Sequence, residues 1–128
     1  TFEIIECKKS TDGTITCNLL ITNNDQKDRE FKIYSNCSKI YDNFGNEYKA
    51  KNAKLANKEG ISPKSLMVSN VKTRAVLIFN KVSLTTKSIS LLEICFDTGP
   101  WSNSTAPQIW GSAPSNPKAK IRNISLSN

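Results

Sequence analysis

The sequence predicts an all-β fold: an antiparallel β-sandwich of seven to eight strands in a single domain, residues 1–128. Three observations carry this. Asp12-Gly13 lies between two alternating runs, and Asp-Gly in that setting is a strong hairpin signal. Strand-sized runs recur with polar turns between them, at the spacing of a sandwich. No segment has a convincing helical period, and no run approaches the roughly 18 apolar residues of a membrane-spanning helix.

The first strand covers residues 2–8. The second, 14–23, places Ile15, Cys17, Leu19 and Ile21 on one face and Thr14, Thr16, Asn18 and Thr22 on the other. The turn Asn23-Asn24-Asp25-Gln26-Lys27 leads to residues 29–37, where Phe31, Ile33, Ser35 and Cys37 share a face. Residues 38–41 run into a second turn, Asp42-Asn43-Phe44-Gly45-Asn46. Residues 48–55 read as an edge strand or loop, and 57–63 as a loop. Residues 66–71 and 74–79 form one long or broken strand. Residues 89–96 form a strong strand whose inward set changes parity at Leu91-Leu92, the mark of a bulge or of burial on both faces. A long irregular loop, 97–116, precedes a last strand, 119–126, with another parity change between Ile121 and Ile124. The expected inward set is Ile5, Ile15, Leu19, Ile21, Phe31, Ile33, Leu77, Phe79, Leu92, Ile94 and Ile121.

Four cysteines and no histidine argue against a zinc site, which wants close pairs such as C-x₂-C. An even count suggests two disulfides, with three connectivities open. A three-residue loop at Thr11-Asp12-Gly13 sets Cys7 opposite Cys17, whereas a two-residue loop leaves them one out of register. Cys7–Cys17 is the favoured pair, and Cys37–Cys95 follows by elimination; the alternative is four buried thiols. Disulfides imply an oxidising compartment, so the expected location is secreted, periplasmic or cell-surface.

The net charge of +7 is unevenly spread. Residues 1–48 hold six basic and eight acidic groups; residues 49–128 hold twelve basic and three acidic. Such asymmetry bears on polyanion partners rather than on fold. Lys49, Lys51, Lys54, Lys58 and Lys64 form the candidate contact with anionic envelope polymers. The plainer reading is a solvated, edge-protecting lysine face. Lysine outnumbers arginine fifteen to three, which does not favour bidentate phosphate recognition. No RNA-binding aromatic motif or helical reader is present, so no specific nucleic acid is expected.

The strings Cys17-x-Leu19-x-Ile21-Thr22-Asn23-Asn24, Ile33-Tyr34 and Tyr41-Asp42-Asn43-x-Gly45-Asn46-Glu47-Tyr48 carry a resemblance, as do 75–79, Leu91-Leu92-Glu93-Ile94 and Ile121-Arg122-Asn123-Ile124. The chain resembles secreted bacterial immunoglobulin-like domains, similar in fold to the mycobacterial immunoprotective secreted antigen. The resemblance implies an immunoglobulin-like sandwich without enzymatic activity and supplies no site residues. The loop at 97–116 departs from the pattern in length.

The remaining motifs are weak. Asp97-Thr98-Gly99 has the form of an aspartic-protease turn, but such enzymes use two copies. Pro100 follows and no flap strand is found, so a β-turn after a strand is the favoured reading. Without histidine, Ser-His-Asp and Cys-His catalysis cannot operate. Asp42, Asn43, Asn46 and Glu47 offer hard oxygens without the EF-hand spacing, and Asx residues in turns bond their own backbone. Asn36, Asn103 and Asn123 head glycosylation sequons, without meaning in a bacterial protein. No enzyme, cofactor or metal is expected. Trp101 and Trp110 both fall in the 97–116 loop, where exposed indoles would stack on a sugar or anchor a protein contact. Their alternative role is to plug the end of the sandwich. The expected function is a non-catalytic binding module for a surface glycan or protein, the alternative a structural accessory domain.

Overall fold

The computed structural model describes residues 1–99 and 117–128. Ten strands are present: β1 (Phe2–Lys9), β2 (Ile15–Thr22), β3 (Arg29–Asp42), β4 (Glu47–Lys49), β5 (Asn52–Leu55), β6 (Lys58–Gly60), β7 (Lys64–Met67), β8 (Lys72–Phe79), β9 (Ser88–Thr98) and β10 (Lys118–Ser127). No helix occurs among the described residues. The strands form one curled sheet in the order β4-β3-β9-β10-β1-β2-β8-β5-β6, with β7 beside β3.

The sheet is mixed, which differs from the antiparallel sandwich expected. β1 and β10 run parallel, joined through Cys7↔Leu126 and Lys8↔Ser127. The two halves of the curled sheet contribute to one buried cluster. Ile15, Cys17, Leu19 and Ile21 of β2, with Leu77 and Phe79 of β8, come from one half; Ile33, Ile40, Leu92 and Ile94 come from the other.

The β1–β2 hairpin turns through Thr11-Asp12-Gly13, closed by the Ser10 N–H donating to the Thr14 carbonyl at 2.9 Å. The Asp12 carboxylate accepts from the Ser10 hydroxyl and the Thr14 amide. Gly13 has φ +86°, a conformation that costs glycine little and other residues much. The loop between β8 and β9 crosses this turn, with the Val82 N–H donating to the Gly13 carbonyl at 2.9 Å. Buried Val82 and Thr86 thus close one end of the molecule.

Ile5 corrects the expected inward set, because it is 50% exposed. A bulge between Ile4 and Glu6 shifts the β1–β2 register and turns Ile5 outward while Cys7 points in. Ile121 is only half-buried. Cys37 does not continue the face of Phe31, Ile33 and Ser35: the β3–β9 register slips between Tyr34 and Lys39, so buried positions change from odd to even, to Ser38, Ile40 and Asp42. The parity change in β9 has both expected causes. A second slip lies near Leu91, and Leu92, Glu93, Ile94 and Cys95 are buried in succession. Residues 66–71 are not a continuation into β8, since β7 pairs with β3.

A candidate binding site at the aromatic end

Among the described residues, the end opposite the Val82 loop is open. Phe31 of β3 and Phe96 of β9 are cross-strand neighbours of inward parity, and Phe2 opens β1. Phe31 and Phe96 stack at 5.2 Å between centroids, and the Phe2 ring lies 5.0 Å from Phe96 and 6.0 Å from Phe31, tilted. Such offset and tilted pairs add to the stabilisation from burial alone. These rings, with Ile21 and Met67, floor a cavity of about 500 Å³.

The rim is polar and tightly built. Asp25 pairs with Arg29 at 2.8 Å. The hydrogen bond from Arg29 holds the Asp25 carboxyl below its ordinary pKa, so it stays ionised at neutral pH. The Asn23 amide donates to the carbonyls of Lys27 and Met67 and accepts from the Asp25 N–H, all at 3.0 Å. The Ser69 hydroxyl donates to the Asp25 carbonyl. A concave apolar floor with a few fixed polar groups is the ordinary form of a small-ligand site.

Trp101 and Trp110 lie outside the described residues. The strand ends that flank their segment are described: the Gly99 N–H donates to Glu30 and the Phe96 N–H to Pro117, at 2.8 and 3.1 Å. Both attachments are at the open end, beside Thr98 and Phe96 of the cavity wall. Sequence reasoning missed Phe2 and Phe96. The signal was their parity: Phe96 shares a face with Ile94, and Phe2 with Ile4.

The five lysines do not converge on one strand or turn. Lys49 lies on β4 opposite Lys39, Lys51 at the following corner, Lys54 on β5, Lys58 on β6, and Lys64 on β7 opposite Lys32. All five are exposed, and Lys54 approaches Glu59 at 3.9 Å.

The other polar clusters are occupied by the fold itself. Asp42 is fully buried, accepting from the amides of Phe44 and Asn46, the Asn46 side chain and the Thr86 hydroxyl. Glu47 accepts from Lys39 and Tyr41, and Asn43 from the Lys87 amide. Asp97 and Thr98 are not a turn or the start of the expected loop but the end of β9, paired with Lys32 and Phe31 of β3, and the Thr98 N–H donates to the Asp97 carboxylate. Disulfides join Cys7 to Cys17 and Cys37 to Cys95. Two such bonds fit an extracellular or periplasmic protein. No helix among the described residues is long and apolar enough to cross a membrane.

No protein family and no curated protein matches the chain. Among solved structures, it is similar to the CooA pilin subunit from enterotoxigenic Escherichia coli, at 12% identity and a TM-score of 0.36, over 98% of this chain and 95% of that one.

Proposed function

We propose that the domain is a non-catalytic binding module of the extracellular or periplasmic space, engaging a surface glycan or protein at its aromatic end. The observation that supports this reading is the open cavity floored by Phe2, Phe31 and Phe96. The segment carrying Trp101 and Trp110 leaves the fold beside that cavity, after Gly99, and returns at Pro117. Aromatic groups concentrated at one end of a disulfide-bonded scaffold suit stacking on sugar rings or anchoring a protein hot spot.

Acrylamide quenching tests the proposal first: at least one indole should be accessible in the free protein. Trp101→Ala or Trp110→Ala should then leave stability nearly unchanged and lower binding to a glycan or protein identified by array screening by about 2 kcal/mol or more. Two unquenchable tryptophans, with each replacement costing about 3–5 kcal/mol of stability, would instead favour a structural accessory domain with no ligand of its own.

A further inference from the structure

We propose a second interaction surface, which begins beside the aromatic end and uses different groups: the β1-facing, outer edge of β10 accepts an extended acidic peptide from a partner protein as an added strand. β10 pairs with β9 from Lys118 to Ser125 along one edge. Along the other, its ladder to β1 has two rungs, at Leu126 and Ser127. β1 follows β10 in the sheet order, but among the described residues this β1-facing edge has no ladder rung over 118–125. Backbone N–H and C=O groups on such an edge are a template for strand addition.

The side chains state what kind of strand fits. Lys118, Lys120 and Arg122 are exposed and occupy alternate positions, so they stand on one face about 7 Å apart. Behind them, across β9, lie Cys95, Glu93 and Leu91, and beyond those, on β3, Tyr34, Lys39 and Tyr41. This block contains four cations and one carboxylate. Glu93 is nearly buried and lies 3.7 Å from Lys118, while Lys39 is committed to Glu47 at 2.9 Å. Neither Lys120 nor Arg122 forms an ion pair among the described residues. On the opposite face of β10, Ala119 and Ile121 are half-buried against the core. An added strand that alternates apolar and acidic residues would cover Ala119 and Ile121 with one face and set carboxylates beside the three cations with the other.

The same charges disfavour a second copy of this chain. An antiparallel β10–β10 pair would set cations opposite cations, which is destabilising, between molecules of net charge +7. Lysine on an edge strand blocks indiscriminate pairing; an acidic strand removes that block.

The test uses a capped nine-residue peptide alternating Val and Glu, a matching Val–Lys peptide, and the intact protein at low salt. Binding is followed by amide hydrogen exchange. The Val–Glu peptide is expected to slow exchange across 118–124. Lys120→Gln with Arg122→Gln, both at exposed positions, should weaken it at least tenfold at nearly unchanged melting temperature, and Lys120→Glu with Arg122→Glu should create binding of the Val–Lys peptide. Several outcomes overturn the proposal: Val–Glu binding that the glutamine double variant leaves intact, no protection of 118–124, or outer-edge amides already slow in the free protein because the chain's own residues cover them. Dimerisation through β10, seen by sedimentation with cross-linking at Lys120, would assign the edge to a second copy and overturn it equally.

Discussion

The Ser38 hydroxyl accepts a hydrogen bond of 3.0 Å from the backbone N–H of Cys95 and donates one of 2.7 Å to the Tyr34 carbonyl. It stands in for a rung of the β3–β9 ladder. The register runs from Tyr34↔Cys95 to Lys39↔Glu93, so five residues of β3 advance against two of β9. The slack forms a bulge that carries Cys37 to its disulfide with Cys95. Without the hydroxyl, the buried Cys95 amide loses its acceptor. Ser38→Ala should therefore cost about 1–3 kcal/mol in chemical denaturation, the penalty for a buried unsatisfied donor. An unchanged midpoint would mean that the bulge is held by the disulfide alone.

The two disulfides should differ in worth. Cys37–Cys95 spans 58 residues and Cys7–Cys17 only 10. In the chain-entropy account these separations correspond to about 4 and about 3 kcal/mol. Paired Cys→Ala variants, compared by urea unfolding, should rank in that order. The reverse ranking would place the main contribution in the hairpin rather than in long-loop closure.

Gly13 and Gly45 share a positive φ, +86° and +83°, but differ in surroundings. A Cβ on Gly13 would meet the Val82 carbonyl oxygen at 2.7 Å, while one on Gly45 would meet nothing within 4 Å. Gly45→Ala should cost only the left-handed backbone penalty of about 1–2 kcal/mol. Gly13→Ala should cost clearly more, because the Val82 loop must shift as well. Equal costs, measured side by side, would show that this loop yields freely.

Asp42 should make stability pH-dependent. Burial pushes its carboxyl up, but hydrogen bonds from Asn46, the Phe44 amide and Thr86 outweigh burial and hold the pKa below its ordinary value. The unfolded carboxyl takes up a proton near its usual pKa, whereas the folded one does so only at lower pH. The stability from ionised Asp42 is thus fully present above about pH 4 and lost as pH falls through the folded value. Asp12, Asp25 and Glu47 are also lowered and act in the same direction. The Asp42 share is the difference between the wild-type profile and that of Asp42→Asn, which should be flatter in acid. Superimposable profiles would refute the assignment.

The local features were legible in the residue pattern. Alternation in β2 and β8 placed Ile15, Leu19, Ile21, Leu77 and Phe79 inward, because side chains of a strand point alternately to its two faces. Asp12-Gly13 marked the hairpin, because glycine adopts its positive φ without steric cost. Where alternation breaks depends on contacts between distant strands. Ile5 turns outward at the bulge beside it, and Ser38 rather than Cys37 is buried after the β3 slip. Those slips are set by pairing between segments far apart in the chain. The same holds for the parallel contact of β1 with β10 and for the meeting of Phe2, Phe31 and Phe96. Each of these residues follows an ordinary strand pattern in its own segment. What joins them is the curl of the sheet, which brings three distant strand ends to one open end of the core.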